Sequence, residues 1–442
     1  TFNTQLALDE RTKLMRYDIP YGDRKEYFDA PQGSVIFEGK MTNIPAVKDL
    51  KGELISALES PIGTLPLKEL AKGRKNIVFL VEDNTRSTPL DIIMPIITDY
   101  LNKNGVPDSA MSFLTAPGTH RLMTDGEIVE KLGAEMVRRF KVVQHDATVS
   151  EDMDDLGKVP AGDYSIPVHV NKYALRADLL IGIGNIVPHC DAGYSGGAKI
   201  LQPGVCDFVT TSATHAAAGF CPDIPLGMTD GNPCRMGMEE VAKIAGLAFI
   251  VNTVKNCDDE VAGIFAGDFI KAHREGVRLA ERSFSIRVPE PADIVIVSSS
   301  PSDMDYWQGC KGTSCAYFAV KKGGIVIFAA PCTEGLAHNH PRFREWLSMP
   351  LEEVLQGLRT ASPEDVDADL VSAVLSVCNC RARDKSKIFC VSDGLTEEDL
   401  AAMQYTPFPN VQAALDEAIR LIPDATIGII PKGGISLPVI DK

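Results

Sequence analysis

The sequence predicts an α/β protein: two α/β domains with mainly parallel sheets and the active site in the cleft between them. Three observations lead there. Short apolar runs of strand length recur along the chain, each followed by a polar loop and then by a segment with helical apolar spacing. That alternation is the rhythm of a parallel sheet covered by helices. It stops and restarts once, across "IRVPEPA" at 286–292, where two prolines interrupt it. Finally, 442 residues are more than one ordinary core takes up. The division is therefore set at residues 1–287, an N-terminal cofactor-binding domain, and 288–442.

In the first domain, "NIVFLVE" (76–82) reads as a strand followed by the helical "PLDIIMPIITDYLNKNG". "MSFLTA" (111–116) and "ADLLIGIG" (177–184) repeat the pattern, each followed by a loaded loop. In the second domain, "IVIVSS" leads into the loop "PSDMDYWQGCKG" and then a helix, "GGIVIFAA" precedes helices over 341–380, and "KIFCVS" precedes helices to about 422. The tail, 424–442, contains "ATIGIIPKGG", a run that either finishes the second sheet or packs back on the first domain.

Composition narrows the function classes. A formal net charge of −16 argues against a general nucleic-acid or anionic-membrane binder, and a small anionic substrate would need a local basic pocket within that acidic surface. Every apolar run ends well short of membrane-spanning length. The eleven cysteines are odd in number and scattered, with no paired CxxC of a zinc site, so reduced thiols in a cytoplasmic protein are expected. Cys190, beside His189, is the thiol worth following, although buried inert thiols are commoner than reactive ones.

In an open parallel sheet, ligands bind in the loops at the carboxyl ends of strands. Here those loops hold the chemistry. "DNTRSTP" brings Asp83 and Arg86, "PGTH" brings His120, and "HCDAGYSGGAKILQPG" brings His189 and Lys199, with His215 following in "TSATHAAAG". "YWQGCK" adds Trp307, Gln308 and Lys311 from the second domain. Each also has a plain structural reading. Asp83 suits a helix cap, Arg86 a solvated loop cation, His120 a turn, His215 a satisfied core histidine, and "SGGAK" a tight turn that lacks the spacing of a phosphate loop. Taken singly, the plain readings prevail.

Taken in order, "DNTRSTP", "PGTHR", "HCDAGYSGGAKILQPG" and "TSATH" closely resemble the lactate racemase family, the nickel-pincer nucleotide racemases and epimerases of 2-hydroxy acids. The resemblance runs along nearly the whole chain. It implies that Lys199 is the lysine joined by a thioamide to a pyridinium-derived mononucleotide, and that His215 binds the nickel. It implies acid/base roles for His120 and His189, anchoring of cofactor and substrate by Asp83 and Arg86, and contacts to the substrate carboxylate from Gln308 and Lys311. Where lactate-specific members carry tyrosine, this chain places Trp307, a larger ring that bears on which 2-hydroxy acid fits.

The chemistry is consistent with those residues. Nickel(II) accepts imidazole and favours a planar arrangement, so one histidine completes a site whose other donors come from the cofactor. A pyridinium ring is a hydride acceptor, and hydride transfer through a 2-keto acid avoids a carbanion beside an ionised carboxylate. The hydroxyl proton then needs a histidine base for each enantiomer. Two rivals stand beside this reading. An NAD-type oxidoreductase requires a dinucleotide fingerprint, of which "GIGN" is a fragment. A non-catalytic anion-binding protein accounts for Arg86, Lys199 and Lys311 but leaves the histidines without a role.

Overall fold

Two six-stranded sheets, each flanked by helices, carry the chain in a computed structural model that describes residues 13–161 and 164–441. The first sheet runs in the order Val261–Gly267, Leu247–Lys255, Leu179–Asn185, Ile77–Val81, Met111–Thr115, Lys141–Gln144. Only Val261–Gly267 pairs antiparallel; the other neighbours are parallel. The second sheet runs Thr406–Pro407, Lys387–Val391, Val320–Ala329, Ala292–Ser298, Ile427–Ile430, Val35–Glu38, and all of its pairings are parallel. Ile77–Val81 and Met111–Thr115 are buried at every position, which is why they read as unbroken apolar runs rather than as alternation.

The tail resolves both ways left open by its sequence. Ile427–Ile430 finishes the second sheet, and Leu437–Ile440 pairs with Ser285–Val288, the strand that spans the 287/288 division. Residues 14–38 go to the second sheet as well. The hairpin Leu14–Tyr21/Arg24–Pro31 buries Ile19, Tyr21, Phe28 and Ala30 against Ile294, Ile296, Ile327 and Leu415, and Val35–Glu38 forms the sheet edge. One apolar face on an otherwise charged hairpin is enough to dock it there.

The halves share a core. Ala213 and Ala216 of the helix Phe208–Gly219 lie in one apolar cluster with Val374 and Val377 of Leu370–Lys385. Small residues on Phe208–Gly219 let it be buried nearly all round, and Asp207 starts it by accepting the Thr210 N–H at 2.9 Å. His215 is carried on this helix. No helix among the described residues is long and apolar enough to cross a membrane.

Candidate active site

One cavity is lined by Asp83, Arg86, His120, His189, Cys190, Lys199, His215, Trp307, Gln308 and Lys311. All nine candidate site residues therefore meet, and Cys190 joins them. Three loops at the carboxyl ends of Ile77–Val81, Met111–Thr115 and Leu179–Asn185 supply the first-half groups, apart from His215 on the helix Phe208–Gly219. The second-half groups differ from expectation in one respect. Trp307, Gln308 and Lys311 sit in the opening turns of the helix Tyr306–Ala319 rather than on a loop, because Asp305 caps that helix by accepting the Gln308 N–H at 2.8 Å. A helix holds them more rigidly than a loop would.

His120 and Asp83 form a pair. Nδ1 of His120 lies 2.7 Å from Asp83 Oδ2, while Asp83 Oδ1 accepts the Thr85 hydroxyl at 2.6 Å. Burial opposes ionisation of Asp83, but His120 and then Arg86 outweigh it and hold the carboxyl well below the ordinary range. A carboxylate facing Nδ1 fixes the proton there and leaves Nε2 of His120 as an acceptor. The Gln308 amide nitrogen donates to that Nε2 at 3.1 Å. Its amide oxygen faces the cations, at 2.5 Å from Lys311 Nζ and 3.5 Å from Arg86 Nη1.

His189 is arranged the other way round. Its Nδ1 accepts the backbone N–H groups of Asp191 at 3.2 Å and Ala192 at 3.4 Å, so the neutral ring carries its proton on Nε2. Burial and then the charge of Lys199 push its pKa well below the usual value. His215 donates Nδ1–H to the Thr211 carbonyl at 2.9 Å, leaving the Nε2 lone pair uncommitted. Burial and then Lys199 lower its pKa to about 3.

Lys199 lies on the short turn Gly197–Ile200. Among the described residues its ammonium has no hydrogen-bond or ion-pair partner, and burial followed by Arg86 lowers its pKa to about 7. Lys311 is lowered to about 8 for the same two reasons. The turn needs glycine. Gly196 and Gly197 have φ of +73° and +60°, and a Cβ on Gly196 would stand 2.8 Å from Asn252 Oδ1.

Several functional neighbours carry no signal in the sequence. Arg235 is fully buried and donates to the carbonyls of Ala192 at 3.2 Å, Gly196 at 3.0 Å and Tyr194, while Asn232 and His273 donate to Asp191 and Ser195 at 2.8 Å each. Burial brings the Arg235 pKa down to about 10. The carbonyls of the 191–196 loop are thereby held on one side, which fixes the backbone that bears Lys199. Asp191 is buried beside Cys190 and Cys378, and burial raises its carboxyl well above the usual range. Arg235 and His273 come from later helices and Asn232 caps one of them, and no spacing rule links them to the loop.

The cavity offers groups that could hold a metal or a covalently attached cofactor. Among the described residues, the one group of His, Cys, Asp and Glu dense enough to chelate an ion unaided is His189, Cys190 and Asp191, with ligand atoms within 4.8 Å of one another. His215 stands outside it as a single imidazole with a free nitrogen, so a metal there takes its remaining donors from something other than protein. The uncommitted amine of Lys199 lines the same cavity.

An α/β scaffold of parallel sheets whose loops gather histidines and buried cations in one cavity defines an enzyme that handles a small anionic substrate. Residues 21–224 match the family described as lactate racemase N-terminal domain, and residues 288–439 match the lactate racemase C-terminal domain. The chain is 32% identical to the lactate racemase of Thermoanaerobacterium thermosaccharolyticum, over 97% of this chain and 100% of that one. It is 36% identical to the lactate racemase of Lactiplantibacillus plantarum, over 73% of this chain and 76% of the other. The lactate racemase apoprotein structure from T. thermosaccharolyticum superposes with a TM-score of 0.84, covering 96% of this chain and 100% of that one. A crystal structure of a Thermotoga maritima protein, 20% identical, shares the fold with a TM-score of 0.69, over 88% of this chain and 98% of its own. The chain belongs to the lactate racemase family and is a racemase, an isomerase. That membership sets aside the NAD-type oxidoreductase and the non-catalytic anion binder.

Proposed function

We propose that this enzyme racemises or epimerises a 2-hydroxy acid of the lactate type, inverting Cα through a 2-keto acid, in the cytoplasm where its eleven thiols stay reduced. The observation that carries the reading is the meeting of the His120–Asp83 pair, His189, Lys199 and His215 in one cavity. Lys199 would hold the nickel-pincer nucleotide covalently, and His215 Nε2 would bind its nickel. When bound, that group supplies a reversible hydride acceptor.

The chain's own residues then have distinct tasks. Arg86 and Lys311, with the Gln308 amide between them, hold the substrate carboxylate. His120 Nε2 takes the hydroxyl proton as the Cα hydrogen leaves, and Asp83 stabilises the imidazolium that results. Both Asp83 oxygens are engaged by His120 and Thr85, so Asp83 acts through His120 rather than as a direct anchor for the cofactor. His189, with its proton on Nε2, donates to the substrate oxygen from its own side of the cavity. The planar keto acid turns within the site, the hydrogen returns to its other face, and the proton held by the His120 imidazolium goes back to the re-forming hydroxyl.

The test is a 2-hydroxy acid deuterated at Cα, incubated with holoenzyme and resolved by chiral chromatography with label analysis. Inversion with the deuterium retained is expected, with little uptake from heavy water and no requirement for free NAD. Washout of the label at the rate of inversion would replace hydride transfer with proton abstraction.

A further inference from the structure

A second Asp–His pair faces the same region, and the mechanism above does not use it. His340 Nδ1 lies 2.9 Å from Asp369 Oδ1, and Asp369 Oδ2 accepts the Ser372 hydroxyl at 2.6 Å. The His340 ring lies flat on Trp307, with centroids 3.6 Å apart and planes 10° from parallel. Its side chain is only 1% exposed, yet Nε2 has no hydrogen-bond partner. His340 lines a small pocket that adjoins the main cavity and shares His120, Trp307 and Gln308 with it.

The proton of this ring is placed by Asp369, so Nε2 is an acceptor. Burial lowers the His340 pKa, which keeps the ring neutral. A buried acceptor without a donor is a position awaiting one. Asp305 and Glu334 line the same pocket and add further acceptors. A methyl group placed here leaves Nε2 unsatisfied, and a second carboxylate meets Asp305 and Glu334, while Arg121 on the same lining is already paired with Glu127 and Glu334. A hydroxyl satisfies the ring without either penalty.

We propose that the substrate is a 2-hydroxy acid bearing a further hydroxyl at C3 or beyond, whose O–H is accepted by His340 Nε2 in the pocket roofed by Trp307. This rests on the 2-hydroxy acid reading above and names the substrate class within it. His340 is thereby a specificity-determining residue. Trp307 serves as its support, which gives the larger ring at this position a purpose.

Two measurements test it on the holoenzyme, with lactate, glycerate, malate and isoserine as probes. Racemic acids, chosen so that turnover does not change the ligand, are titrated against a Trp346→Phe background in which Trp307 is the remaining tryptophan, and its fluorescence is followed; kcat/KM is then measured by chiral chromatography. Glycerate is expected to bind more tightly than lactate by about tenfold or more, because a site built to hydrogen-bond a hydroxyl discriminates against its absence. His340→Phe, which preserves the stacking and removes Nε2, is expected to collapse that ratio towards one. Equal binding of lactate and glycerate by the wild type overturns the proposal, as does a ratio that survives in His340→Phe or a preference for malate or isoserine. If the binding preference holds but none of the acids is inverted, the hydroxyl site stands and the racemase mechanism fails instead.

Discussion

His120 and His189 hold their ring protons on opposite nitrogens. Asp83 Oδ2 faces Nδ1 of His120 at 2.7 Å, whereas backbone N–H groups face Nδ1 of His189. One ring offers the cavity a proton acceptor, the other a hydrogen-bond donor.

Asp83→Asn removes the group that sets the His120 tautomer. Turnover is expected to fall by about 10²–10⁴-fold, the range of general acid/base assistance, while the Lys199 adduct and nickel content stay near wild type. For an acid with one stereocentre the equilibrium constant is unity, so kcat/KM must fall equally for both enantiomers. Any difference between His120→Ala and His189→Ala therefore appears in kcat and KM separately, read from progress curves started with each enantiomer.

The metal and the covalent link depend on different residues. His215→Ala is expected to lose nickel while the adduct at Lys199 survives, as measured by elemental analysis beside peptide mass mapping. Nickel retained at wild-type stoichiometry would move the ligand role to another residue, with His189, Cys190 and Asp191 the first group to test.

Lys199 provides a pH signature. Its folded pKa of about 7 lies below the ordinary 10.5, so the unfolded chain binds more protons between those values and stability rises with pH across that window. Below about pH 7 the full cost of the buried cation is present. Lys199→Met is therefore expected to raise the Tm of cofactor-free protein, by more at about pH 6 than at about pH 10. A gap that widens as pH rises would contradict the shift.

Arg235 braces the loop through the carbonyls of Ala192, Tyr194 and Gly196. Arg235→Met removes the side-chain donors from these buried carbonyls, of which Gly196 keeps the Lys199 N–H at 3.2 Å, at about 1–3 kcal/mol for each group left unsatisfied. A lower urea midpoint is expected, together with reduced adduct formation at Lys199. Unchanged stability with normal adduct yield would show that Asn232 and His273 hold the loop without it.

The sequence reveals the site more fully than its surroundings. Asp83, Arg86, His120, His189 and Lys199 are legible because a parallel sheet presents the ends of its strands to a ligand, and a charged or aromatic residue in such a loop stands out against apolar runs. Trp307, Gln308 and Lys311 are legible as residues, but Asp305 turns their loop into a helix, and a single cap is easily missed among polar neighbours. His340 and Asp369 belong to different segments with no shared motif, and Arg235 resembles any helix-surface arginine until its three carbonyls are seen. The early strands escape notice for another reason. "LMRYDIPY" hides one apolar face among charges, and nothing local indicates which sheet it will join.

Val35–Glu38 has a consequence for synthesis on the ribosome. This edge strand is made long before its neighbour Ile427–Ile430. Until that neighbour has been made, the hairpin and edge strand have no completed sheet to join, and the unpaired edge of Ala292–Ser298 stays open to other chains. Vectorial folding can finish the first sheet early but must wait for Ile427–Ile430 to finish the second. A circular permutant that begins at Ile427–Ile430 and runs on through Leu437–Ile440 into Val35–Glu38 would bring those neighbours together at the start of synthesis, and would be expected to aggregate less while being made.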